Sequence, residues 1–181
     1  MNTAVQPLAG SYTADPAHSS FQAQLRHMGV GTFRTGFEDV SARVDQGPEG
    51  LRLTGRARVD SITIKRPPEF RAHVVGGEDF FDAARHPEIT FASTRLDFAE
   101  DGIAALEGTL TMRGVERPVT ATGTYAAPVE DLYGAHRAAL DLTAEIDRRD
   151  WGFDFQAQLP RGGDVLSWMV ALSIHLELVA D

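Results

Sequence analysis

Alternation with a period of two dominates this chain and constrains its fold more than any other feature. Over 51–59, Leu51, Leu53, Gly55, Ala57 and Val59 alternate with Arg52, Thr54, Arg56 and Arg58. Successive side chains of an extended strand point to opposite faces. The spacing therefore puts apolar and small groups on one face, and cations or hydroxyls on the other. Over 138–147 the pattern repeats, with Ala138, Leu140, Leu142, Ala144 and Ile146 set against Asp141, Thr143, Glu145 and Asp147. Phe21, Ala23 and Leu25 alternate with Gln22, Gln24 and Arg26, and Val119, Ala121, Gly123 and Tyr125 with Thr120, Thr122 and Thr124. Leu106, Gly108, Leu110 and Met112 alternate less cleanly with Glu107, Thr109 and Thr111. Across 165–179, Leu166, Trp168, Val170, Leu172, Ile174, Leu176 and Leu178 share one face, while Met169 and Ala171 leave the other half-apolar.

Turn chemistry separates these runs. Asp45-Gln46-Gly47-Pro48-Glu49-Gly50 and Ala99-Glu100-Asp101-Gly102 read as hairpin loops, and Arg113-Gly114 as a tight turn. About eight antiparallel strands result. The segment 65–87 breaks the alternation: Pro67-Pro68 suits a helix start, and Gly76-Gly77 suits its stop. A second short helical turn is expected over 79–85. Long strands with one apolar face each favour an up-and-down barrel over a short-stranded sandwich, and closure also removes exposed edges. The expected fold is all-β: an eight-stranded antiparallel up-and-down barrel with a short helical insertion around residues 67–85. It should form one domain over 1–181, with residues 1–10 flexible.

Composition narrows the function. Of 181 residues, 43% are hydrophobic and 24% charged, which suits a globular chain rather than a disordered one. The net charge of −9 argues against nucleic acid, whose binding relies on a basic footprint. Cysteine is absent, which removes thiol nucleophiles and thiolate metal sites. His18, His27, His73, His86, His136 and His175 show no paired ligand spacing, so no metal is expected. There is no Gly-x-Ser-x-Gly elbow, and Gly76-Gly77 and Gly162-Gly163 lack the context of a phosphate loop, so no cofactor is expected. No apolar run is long enough for a transmembrane helix, and Met1 to Gly10 has no signal-peptide character. Cytoplasmic residence is the expectation, with periplasm or secretion implied only by a removed leader.

An eight-stranded barrel is just wide enough to be filled by its own side chains or to hold one ligand. Its inner faces here would mix Phe21, Leu25, Leu53, Phe91, Leu140, Ile146, Trp168 and Leu172 with Ala23, Gly55, Ala57, Gly108, Ala121, Gly123 and Ala144. The small residues either leave a cavity or make room for bulky neighbours. A cavity so lined carries almost no charge, and its guest would be apolar and elongated. The half-apolar second face of the last run would suit a homodimer contact.

Four separated blocks carry a resemblance. Tyr12, Asp15, His18-Ser19-Ser20, His27-Met28, Phe33, Gly36 and Phe37 resemble the opening of the YceI-like family. Asp79-Phe80-Phe81-Asp82 with 86–94, then 108–115 with Arg117-Pro118-Val119, and finally 146–153 resemble its later blocks in order. The resemblance implies a lipocalin-like barrel binding a polyisoprenoid, an isoprenoid quinone or a related long-chain amphiphile in its lumen. It further implies commonly periplasmic relatives, dimers in some, and no catalysis shared by all. Ala23 departs from the larger residue usual in the first long strand, and Arg71-Ala72-His73 only partly matches a common element of the helical insert.

The expected lumen comprises Phe21, Ala23, Leu25, Phe33, Leu53, Phe80, Phe81, Phe91 and Leu110. Leu140, Leu142, Ile146, Trp151, Phe153, Trp168, Val170 and Leu172 complete it. His27, Arg34, Arg71, Arg113 and Arg148 are candidates to hold a polar head, since a carboxylate or pyrophosphate at the mouth needs such forks. The competing role for Arg148 is an ion pair with Asp147 or Asp150, and for Arg113 closure of its own turn. The expected function is non-catalytic binding, storage or transport of a long-chain apolar ligand. Two alternatives stand beside it: a small-substrate isomerase or hydrolase with His18, His27 or His73 converging on a carboxylate, and a solid-core interaction module.

Overall fold

The alternating runs become strands whose buried residues are those of the apolar face. In β6 (Gly50–Arg58) Leu51, Leu53 and Ala57 are buried, while Arg52 and Thr54 are exposed. The structure, a computed structural model, describes residues 4–5 and 7–181. In chain order its other strands are β1 (Ala4–Val5), β2 (Ser11–Ala14), β3 (Ser20–His27), β4 (Gly31–Phe37) and β5 (Val40–Gly47) before β6. Helix α1 (Pro68–Gly76) follows, then β7 (Glu88–Ala99), β8 (Ile103–Met112), β9 (Val115–Glu130), β10 (His136–Asp147) and β11 (Met169–Ala180). Among the described residues no helix is long and apolar enough to cross a membrane.

Eight strands close a ring in the order β2, β5, β6, β7, β8, β9, β10, β11 and back to β2, each pair antiparallel. The β3–β4 hairpin is added to this ring. Strand β11 gives its C-terminal part to β2 (Leu178↔Ala14) and its N-terminal part to β3 (Leu172↔Ala23). Strands β2 and β3 thus succeed one another along a single edge of β11. The outer edge of β4 meets the segment after β6, where Phe37 bridges Ile62 and the Thr63 N–H donates to the Gly36 carbonyl at 2.9 Å.

Turn chemistry sets the hairpin register. Arg113 (φ 52) and Gly114 (φ 71) are both left-handed, the geometry a two-residue hairpin turn needs, and β8 passes directly into β9. Helix α1 begins at a proline, which gives up no hydrogen bond there, and ends where the Gly77 N–H donates to the His73 carbonyl at 2.7 Å. The expected second helical turn over 79–85 is absent; the segment is a series of tight turns around Asp82 (φ 50), whose buried carboxylate accepts from Arg85. A positive φ cannot continue an α-helix. The last run is also shorter than its alternation suggests, since β11 begins at Met169 rather than near 165. Of the expected flexible residues 1–10, residues 1–3 and 6 lie outside the described residues. Ala4–Val5 pairs with β7, and Leu8 is buried in the core.

Two apolar clusters divide the barrel along its axis. One, at the β2 end, includes Tyr12, Val44, Phe98, Leu140 and Leu178. The other, beneath α1, includes Ile62, Val74, Phe80, Trp151 and Phe153. The Trp151 indole is fixed by donating to the Leu110 carbonyl at 3.0 Å.

Candidate functional site: an apolar cavity under helix α1

The space inside the barrel is unequally filled. Under α1 it opens into a cavity of about 660 Å³. Residues of nearly every barrel strand and of α1 line it, and the polar residues among them are Gln22, His27, Thr35, Arg56, Thr90 and Arg148. The cavity ends along the axis at one level. On five strands one inward residue lines it and the residue two places deeper does not: Ala42 but not Val44, Leu53 but not Leu51, Leu106 but not Ala104, Leu142 but not Leu140, and Leu176 but not Leu178. Alternate residues of a strand share a face, so these pairs are successive layers of the barrel interior. The deeper layer is packed, with Val44, Ala104, Leu140 and Leu178 all at 0% exposure.

Both roles considered for the small inward residues occur. Ala23, Gly55, Ala57, Ala121 and Ala144 line the cavity. Gly108 lies beneath the Phe91 ring, where a Cβ would overlap it, and a Cβ at Gly123 would overlap the Asp141 carbonyl oxygen on β10.

Of the residues expected in the lumen, Phe21, Ala23, Leu25, Phe33, Leu53, Phe80, Phe81 and Phe91 border the cavity. So do Leu110, Leu142, Ile146, Phe153, Val170 and Leu172. Three expected lumen residues do not. Leu140 belongs to the packed layer below. Trp151 is turned into the wall by the 3-10 turn Arg148–Trp151 and its bond to Leu110. Trp168 precedes β11 and lies against the guanidinium of Arg148, 4.2 Å from its ring centroid. Sequence reasoning missed Phe37, Ile62, Ile64, Phe70 and Val74, which also border the cavity. The signal available for them was apolar character in segments without alternation, which does not say which way a side chain faces.

The head-group candidates separate in the same way. His27 and Arg148 border the cavity, whereas Arg34, Arg71 and Arg113 do not. Arg71 donates to the Asp60 carbonyl, and Arg113 to the carbonyls of Gly152 and Glu78, so both are tied to backbone outside the cavity. Arg34 lines a separate cleft beside Gly36 and Thr63. Arg148 is buried at 6% exposure. Its Nε donates to the Ser167 carbonyl at 3.0 Å and its Nη1 to the Phe153 carbonyl at 3.1 Å, while Nη2 has no partner among the described residues. Asp147 is not its hydrogen-bonded counter-ion, because that carboxylate accepts from Arg149 at 2.9 Å. Burial lowers the proton affinity of the Arg148 guanidinium, and the nearby charge of Asp147 partly opposes this.

Two of the three histidines expected to converge on a carboxylate at the cavity, His18 and His73, do so elsewhere, and His27 borders a cavity whose lining includes no carboxylate. His73 lies 2.8 Å from Asp79 outside the cavity. His18 meets Asp15 at 3.0 Å and Glu177 at 3.7 Å, where the chain crosses from β2 to β3. Arg137 is seated among the same groups, donating to Asp15, Asp131 and Glu177 at 2.9, 2.7 and 2.6 Å. Hydrogen bonds from His18 and then Arg137 hold the Asp15 carboxyl well below the usual range, and the bond to Asp15 raises His18. This cluster, at the filled end, ties strand ends together. Asp15-x-x-His18 is visible in the sequence, but Glu177 and Arg137 reach it only through strand pairing.

The family model for the YceI-like domain matches residues 12–178. A UPF0312 protein of Pseudomonas putida is 26% identical over 155 residues, covering 83% of this chain and 80% of that protein. Among solved structures, BcnA of Burkholderia cenocepacia superposes with a TM-score of 0.73 at 23% identity, covering 91% of this chain and 98% of that one. A polyisoprenoid-binding domain from Saccharophagus degradans gives a TM-score of 0.63 at 12% identity, covering 96% and 100% of the two chains.

Proposed function

The chain belongs to the YceI-like domain family, and from that premise we propose that it binds one long-chain apolar molecule in the hollow half of its barrel. The observation that carries this reading is the 660 Å³ cavity and its lining. That volume falls within the range of small-molecule sites, and each methylene moved into it from water is worth about 0.8 kcal/mol. An isoprenoid chain fits this chemistry, and the Saccharophagus degradans neighbour is described as binding one. The polar end of the guest rests near His27 and Arg148, the two candidates that border the cavity. The action is binding and release, which serves storage or transport. An enzyme reading has less support, since neither His18 nor His73 borders the cavity and His27, which does, meets no carboxylate among the residues that line it.

The test is extraction. Protein purified without detergent, and protein incubated with vesicles of total bacterial lipid, is extracted with organic solvent and the extract analysed by mass spectrometry. Stoichiometric recovery of a long-chain compound is expected. Recovery of none from either preparation would overturn the reading.

A further inference from the structure

The cavity has a floor, and a floor measures length. Ala42, Leu53, Leu106, Leu142 and Leu176 come from five strands and form its last layer, with Val44, Leu51, Ala104, Leu140 and Leu178 packed directly beneath. A chain entering under α1 meets this layer and stops, because side chains fill the remaining half of the barrel. A water-sized group takes roughly 30 Å³ in a liquid, so 660 Å³ corresponds to about twenty-two such groups. We propose that the protein selects single chains of about twenty carbon atoms, fatty or isoprenoid, and that the floor leucines set this limit. The proposal rests on the reading of the cavity as a lipid site and adds a length to it.

The measurement is a competition from phosphatidylcholine vesicles. They are loaded with an equimolar ladder of saturated fatty acids from twelve to twenty-eight carbons, together with geranylgeraniol and octaprenol. The protein is re-isolated, and bound chains are quantified by mass spectrometry against their amounts in the bilayer. A methylene gains similarly in bilayer and cavity, so selection is expected to stay nearly level up to about twenty carbons. Beyond that point it should fall about fourfold for each carbon left in water. Geranylgeraniol should be carried and octaprenol excluded, and the ratio of geranylgeraniol to the twenty-carbon acid distinguishes isoprenoid from fatty guests. Leu106→Ala, which removes three carbons from the floor, should move the break two or three carbons longer. Ala121→Leu, which adds bulk on the cavity wall one strand away, should move it shorter.

Capture of twenty-eight-carbon acids and octaprenol as readily as shorter chains would overturn the length limit and leave the lipid site standing. Capture of no chain at all would overturn the lipid site itself. A break that neither substitution moves, in variants whose circular dichroism matches the parent, would show that the floor leucines do not set the limit. The ladder on the unaltered protein decides the limit even if Leu106→Ala fails to fold.

Discussion

Replacing Ala23 by phenylalanine should move stability and ligand binding in opposite directions. Ala23 lies mid-strand in β3, paired with Leu172 of β11 and Thr35 of β4, and all three border the cavity beside Phe21 and Leu25. A ring at this position enters existing space rather than a packed core, so the usual penalty for overpacking does not apply. Burying the ring is worth about 2 kcal/mol, which raises the melting temperature by roughly 4–8 °C in a domain of this size. The six added carbons occupy the room of about six of the twenty-two chain groups the cavity takes. At about 0.8 kcal/mol per methylene, a full-length guest loses about 5 kcal/mol, or between three and four orders of magnitude in affinity. The assays are scanning calorimetry of delipidated protein and extraction of the twenty-carbon acid from vesicles. A protein that melts lower while keeping its guest would refute the reasoning, because the space at Ala23 would then not be the space the chain uses.

Other substitutions probe the wall and the filled end. Trp151→Phe removes the indole's hydrogen bond to the Leu110 carbonyl, and urea denaturation should show a loss of about 0.5–1.5 kcal/mol. Gly123→Ala forces a methyl against the Asp141 carbonyl oxygen and should cost about 3 kcal/mol or more, whereas Gly76→Ala, with open space around it in α1, should be neutral or stabilising by up to about 1 kcal/mol. The Asp15–His18–Arg137 cluster gives stability two pH limbs. Asp15 and Asp131 titrate below their unfolded values, so their contribution is present above the ordinary carboxylate range and is lost as pH falls below about 4. His18 titrates above its unfolded value, so its contribution is complete below about pH 6.5 and is lost as pH rises through the raised value. Urea midpoints measured across pH should show both limbs, and Arg137→Met should flatten the acid one; an unchanged acid limb would mean that Arg137 does not hold the two carboxylates.

The sequence exposed strand faces well and depth poorly. Leu140 and Leu142 sit two residues apart on one face of β10, equally apolar, yet one borders the cavity and the other is packed beneath it. Nothing local distinguishes them, because depth depends on where seven other strands place their side chains. Trp168 continued an unbroken alternation, but its backbone leaves strand register before Met169, and its ring stacks on arginine instead of facing the lumen. Arg71 and Arg113 read as loop cations free to meet a ligand, and backbone carbonyls distant in sequence had already engaged them. Arg148 departed in the other direction: its near neighbour Asp147 pairs with Arg149, leaving a buried guanidinium beside the cavity.

By itself the sequence determined that the chain is built of long strands with one apolar face, that these must close, and that a helix interrupts them after Pro67. Each of these follows from side-chain period and backbone chemistry over a few neighbouring residues. Only the tertiary structure decided that β3 and β4 extend the ring, that half of the bore is solid, and which arginines remain near the cavity. Those are properties of closure, set by register between strands far apart in the chain, and a side chain's neighbours across a barrel leave no mark on the residues beside it in sequence.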